Sequence, residues 1–97
     1  MSTQMNNVIA DYFKTQPIQR AWIFGSFARG EETDTSDVDI LVTLVPNSRM
    51  GLEFFRMIVD LEGLLNRPVD LVVDGNILPF AKESVEHDKL LVYERAS

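Results

Sequence analysis

Apolar residues recur at helical spacing from the start of the chain. Met5, Val8, Ile9, Tyr12 and Phe13 form one stripe, which predicts an amphipathic helix. Pro17 stops it, because proline removes a backbone donor and crowds the preceding turn. Arg20 to Phe24 contains the apolar run Ala21-Trp22-Ile23-Phe24 and predicts a first strand, ended by Gly25. Gly25-Ser26-Phe27-Ala28-Arg29-Gly30 reads as a short turn of helix between two glycines, and the polar stretch from Glu31 to Ser36 as a loop. Asp37 to Leu44 is the second predicted strand: Val38, Ile40 and Val42 share one face, Asp37, Asp39 and Leu41 the other. After the break at Pro46-Asn47-Ser48, Leu52 to Leu65 predicts a helix burying Phe54, Met57, Ile58, Leu61, Leu64 and Leu65. Asn66-Arg67-Pro68 ends it. Val69 to Val73 is the third strand, closed by the turn pair Asp74-Gly75. A last helix is expected from Leu78 to about His87, with Leu78, Ala81 and Val85 inside. Leu90 to Tyr93 reads either as a short edge strand or as a docked tail.

This order predicts a small single-domain α/β fold, a mixed sheet of three or four strands with flanking helices. The 97 residues leave room for one domain, 1–97, whose motif-bearing core is 20–73. The polar loop between strands one and two permits an antiparallel pair. The helix between strands two and three predicts a parallel pair with a right-handed crossover. Val38-Asp39-Ile40-Leu41-Val42 and Val69-Asp70-Leu71-Val72-Val73 echo each other, each placing an aspartate near its strand's start.

Composition narrows the chemistry. Fifteen acids against nine bases give a net charge of −6, and lysines number only three, so phosphate neutralisation along a duplex is poorly supplied. Nucleic acid is therefore not expected as the main partner; metal cations or a basic protein suit the charge better. The absence of cysteine excludes disulfides, thiol catalysis and cysteine-ligated metal centres, and a single histidine, His87, excludes a multi-histidine site. The polar start, without an apolar h-region, and apolar runs of about four residues predict neither a signal peptide nor a membrane span. A cytoplasmic protein is expected.

Asp37 and Asp39 lie two residues apart on one strand, so their carboxylates project to one face and repel. A divalent cation removes that repulsion, and Mg²⁺ prefers such oxygen donors. Asp70 on a neighbouring strand would add a third carboxylate. Acidic pairs are also common at strand ends, so Asp-x-Asp alone does not define a site. Gly25-Ser26 changes the balance. A glycine ending a strand lets backbone approach a phosphate, and N–H groups at a following helix start point at it. Ser26 offers a hydroxyl and Arg29, one turn later, a guanidinium; taken singly, Ser26 is equally an N-cap and Arg29 a surface charge.

Together, Gly25-Ser26, ten intervening residues, Asp37-Val38-Asp39 and the downstream Val69-Asp70-Leu71-Val72 resemble the signature of the minimal nucleotidyltransferases, within the DNA polymerase beta-like nucleotidyltransferase superfamily. The resemblance spans about residues 5 to 93. It implies AMP transfer from ATP to an acceptor hydroxyl with release of pyrophosphate, in the presence of two Mg²⁺ ions. Asp37 and Asp39 would hold both ions and Asp70 one. Gly25 and Ser26, with Arg29, would bind the nucleotide phosphates. It also implies a partner: an all-helical HEPN ribonuclease toxin, which the minimal nucleotidyltransferase neutralises as an antitoxin by adding AMP to a tyrosine. Two other functions fit the same motif, a small-molecule nucleotidyltransferase working with a partner subunit and an antitoxin that masks its toxin without catalysis.

The remaining conspicuous residues have plainer expectations. Trp22, Phe54 and Phe55 are expected in the core, His87 at the surface of a helix end, and Arg56 and Arg67 as surface bases. Glu31 to Asp34 is expected as a solvated loop and Asp74 as a turn former.

Overall fold

The computed structural model describes residues 3–77 and 79–96. Its elements run α1 (Thr3–Phe13), β1 (Ile18–Phe24), α2 (Gly25–Arg29), β2 (Val38–Leu44), α3 (Leu52–Leu65), β3 (Val69–Val73), α4 (Pro79–Asp88) and β4 (Leu90–Glu94). The strands form one mixed sheet in the order β3-β2-β1-β4. β1 pairs antiparallel with both β2 and β4, whereas β2 and β3 pair in parallel across the α3 crossover. The last apolar run is thus an edge strand. Leu78, placed by sequence inside the final helix, lies outside the described residues.

The period-2 alternation of the strands separates two faces. Ala21, Ile23, Ile40, Val42 and Leu71 turn toward Ile9 and Phe13 of α1 and Met57 and Leu61 of α3, forming the main core. Burial of these side chains supplies the main driving force for this layer, roughly 1.5–3 kcal/mol for each large residue removed from water. Tyr12 donates a 2.7 Å hydrogen bond to Asp60, tying α1 to α3. The other face carries Trp22, Phe24, Asp39, Leu41, Asp70 and Val72, and Val85 of α4 is buried over it. Among the described residues no helix is long and apolar enough to cross a membrane.

Three local differences from the sequence reading have physical causes. β1 starts at Ile18 rather than Arg20, because Ile18 is fully buried opposite Leu44, with a bulge before Arg20. The remote Arg95 holds that bulge, donating to the carbonyls of Gln16 and Ile18. On α3, Phe55 and Leu64 are exposed, since the helix rests on Phe54, Met57, Ile58, Leu61 and Leu65. Trp22 is half-buried on the face opposite the main core, with the Lys89 ammonium 4.5 Å from its ring centre.

Gly25 and Gly30 bracket α2, both in the left-handed region at φ 71° and 72°. Gly30 has open space where a Cβ would stand, whereas a Cβ on Gly25 would collide with the Asp39 carboxylate. Gly30→Ala should therefore cost only the backbone strain, about 1 kcal/mol. Gly25→Ala should cost more, because it adds the collision, and should lower the melting temperature further than Gly30→Ala. Thermal denaturation of the two variants side by side reads the difference.

Candidate functional site

The site is assembled where β1 ends and β2 and β3 begin. Cross-strand register puts Phe24 opposite Asp39, and Asp39 opposite Asp70. Because opposed residues share a face, the two aspartates stand side by side on neighbouring strands. Asp37 lies one residue before β2, exposed at its mouth. The chain turns out of β1 at Gly25 directly against Asp39: an added Cβ would fall 3.1 Å from Asp39 Cγ and closer still to its Oδ2. The fold thus sets Gly25 against Asp39 and Asp39 beside Asp70, with Asp37 just ahead of β2. Ser26 follows in the first turn of α2. The N-cap position is Phe24, which makes no side-chain cap hydrogen bond. Ser26 is therefore not the N-cap; its carbonyl instead accepts from Gly30 and, at 2.9 Å, from Glu31, closing the helix.

Asp39 is the electrostatic centre. Burial, followed by the charges of Asp70 and Asp37, pushes its carboxyl up to about 6, and Arg29 opposes the shift. Burial and the two acidic neighbours each disfavour the ionised form of Asp39 in this partly dry corner. Among the described residues no group of three or more aspartate, glutamate, histidine or cysteine side chains is placed to hold a metal ion.

Arg29 is held in place by two carboxylates. Its Nε donates to Glu31 at 2.7 Å and its Nη1 to Asp88 at 2.9 Å, joining α2 to the end of α4. Asp88 is held below the usual carboxylate range by its hydrogen bonds to His87 and Arg29. His87 itself is exposed. Beside Asp70 a cavity of about 310 Å³ is lined by Phe24, Val72, Asn76, Ile77, Ala81 and Val85, mostly apolar with one acid at its edge. Cavities of about 490 and 600 Å³ elsewhere contain neither the Gly-Ser turn nor any of the three aspartates.

Arg67, expected to be an ordinary surface base, instead reaches the loop before β2. Its Nη1 faces the carbonyl oxygens of Thr33 at 2.9 Å and of Asp34 and Ser36 at 3.3 Å, and its guanidinium lies 5.1 Å from the Phe27 ring centre. The nearest sequence signal was its position between the left-handed Asn66 and Pro68, a segment fixed by the end of α3 and the start of β3.

A glycine turn packed beside aspartates on two adjacent strands is the arrangement this small mixed sheet presents at one end. The chain belongs to the polymerase beta nucleotidyltransferase family, whose model matches residues 7–97. It is 37% identical over 87 residues to MJ1379 of Methanocaldococcus jannaschii, named as a protein adenylyltransferase, covering 88% of this chain and 84% of that protein. Its fold superimposes with a TM-score of 0.79 on a toxin–antitoxin crystal structure with AMP-PNP, at 21% identity over 93% of this chain and 73% of that one. A TM-score of 0.75 relates it to a complex of a tri-AMPylated Shewanella oneidensis HEPN toxin with its MNT antitoxin, at 18% identity over 98% of this chain and 74% of that one.

Since Asp39 binds its proton more tightly folded than unfolded, the native state holds more protons between about pH 4 and 6, and stability must fall as pH rises through that window. Asp39→Asn should flatten this pH dependence and raise the melting temperature at pH 7. Melting curves of wild type and variant from pH 4 to 7 test it; parallel curves would contradict the electrostatic strain at Asp39.

Proposed function

We propose that this chain transfers AMP from ATP to a tyrosine hydroxyl of a HEPN-type toxin and so acts as an enzymatic antitoxin. The observation that carries the reading is the close approach of Gly25 to Asp39, which supports a phosphate held at the Gly25-Ser26 turn beside the aspartates. The relatives named as adenylyltransferases and antitoxins support the same chemistry.

Asp37, Asp39 and Asp70 are hard oxygen donors of the kind a divalent cation takes, and Asp39 is raised first by burial and then by the charges of Asp70 and Asp37, which a cation would neutralise. They would hold Mg²⁺, two ions by the family's pattern, which when bound screens the triphosphate and makes the acceptor hydroxyl more acidic. The backbone amides at Gly25 and Ser26, with the Ser26 hydroxyl, bind the β- and γ-phosphates, and Arg29 adds positive charge from α2. Asp70, at the edge of the apolar cavity, takes the proton of the acceptor hydroxyl. The acceptor oxygen bonds to the α-phosphorus, the bond from that phosphorus to the β-phosphate oxygen breaks, and pyrophosphate leaves. The cavity's apolar lining suits an aromatic ring carrying that hydroxyl.

Labelled ATP, Mg²⁺ and a HEPN-type partner should give AMP on a partner tyrosine, located by mass spectrometry, and excess EDTA should abolish it. Asp37→Asn with Asp39→Asn should melt at an equal or higher temperature without Mg²⁺, yet lose transfer by several orders of magnitude. The double variant should keep binding the partner without durably neutralising it. Wild-type protection of cells by this folded, transfer-dead protein would show that masking, not catalysis, is the mechanism.

A further inference from the structure

We infer that Arg67 is a positioning residue for the proposed AMP transfer: its side chain ties down the Thr33–Ser36 loop and through it fixes Asp37. The inference rests on the nucleotidyl-transfer reading of the site.

Asp37 lies outside the strand ladder, one residue before β2, so the residues on either side of it decide where it stands. On its C-terminal side, the Val38 amide donates to Pro68 at 2.9 Å. On its N-terminal side, the loop closes on itself: Thr33 N donates to Ser36 Oγ at 2.8 Å, and Ser36 N to the Thr33 carbonyl at 3.1 Å. These bonds shape the turn without attaching it to the rest of the molecule. Arg67 makes that attachment. Its Nη1 has two hydrogens, directed at three carbonyls of one turn, the last belonging to the residue before Asp37.

The same guanidinium reaches a second part of the site. It lies against Phe27, which is buried in α2 immediately after Gly25-Ser26. Its backbone is three residues from Asp70. Arg67 therefore sits among the phosphate cradle, the loop ahead of Asp37 and the strand bearing Asp70. A planar fork with a cationic face can bond the carbonyls and stack on the ring together; a lysine ammonium offers only a point charge.

The test uses the full chain in three forms, wild type, Arg67→Ala and Arg67→Lys. Amide hydrogen exchange is measured across 33–38 and, as an internal reference, across Ile40–Val42. Exchange of the loop should accelerate at least about tenfold in Arg67→Ala while the reference strand stays protected. Mn²⁺ affinity, titrated without nucleotide, should fall with it. In transfer assays, kcat per folded molecule should drop roughly 10–100-fold with the KM for ATP changed less than about threefold, the split expected when a reacting group is misplaced rather than substrate binding lost. Arg67→Lys should recover part of the exchange protection and of kcat, and it carries the test if Arg67→Ala does not fold. Unchanged loop exchange in a folded variant, or accelerated exchange with unchanged Mn²⁺ affinity and kcat, would overturn the assignment. If the wild type transfers no AMP at all, the functional reading fails by itself, while exchange and Mn²⁺ binding still decide the role of Arg67.

Discussion

The site depends on one close approach: the backbone at Gly25 lies against the Asp39 carboxylate. Any side chain there would occupy the space of the acid, and a left-handed φ of 71° adds a second reason for glycine. The contact fuses two features that are each commonplace. A glycine turn after a strand is frequent, and so is an aspartate at a strand start. Brought into contact, they set amide donors suited to phosphate beside carboxylates suited to a cation. The energetic consequence is local strain. Asp39 loses water and gains two negative neighbours, so its carboxyl is raised to about 6. A protein shaped for stability alone gains nothing from this arrangement; strain of this kind collects at functional sites.

The sheet exists, for the purpose of this site, to hold register. β1 runs opposite to β2 while β3 runs alongside it, so the end of the first strand and the beginnings of the other two meet at one edge. α1 and α3 press the opposite face into a well-buried core and leave the carboxylate face partly open. Two arginines then tie irregular pieces to this frame. Arg29 links α2 to α4 through Glu31 and Asp88, and Arg67 links the loop before Asp37 to the end of α3. The exposed pairs at Arg29 contribute little to global stability, because solvent screens them; their effect is on where α2 sits.

Most of this was legible in the sequence for a simple reason. Helix stripes and strand alternation are local signals, and the three aspartates and Gly25-Ser26 sit at element boundaries those signals define. The register between Asp39 and Asp70 was prefigured by the matching runs that begin at Val38 and Val69. What stayed hidden depends on partners remote in sequence. The early start of β1 at Ile18 follows from Leu44 and Arg95. The role of Arg67 follows from carbonyls more than thirty residues upstream, and no side-chain pattern marks a carbonyl as a ligand. Phe55 and Leu64 misled because an apolar residue near a helix stripe is not forced inside when the sheet beneath is already covered.

The most direct test of the central claim is the titration of the Asp39 carboxyl by ¹³C NMR, in the free protein and with saturating Mg²⁺ and a non-hydrolysable ATP analogue. The free protein should titrate near pH 6, with both burial and its acidic neighbours contributing. Bound cation and nucleotide should hold the same carboxyl ionised well below the usual carboxylate range. An Asp39 that titrates near pH 4 when free, and does not move on adding Mg²⁺ and nucleotide, would contradict the claim that the Gly25 cradle and the three aspartates form one site.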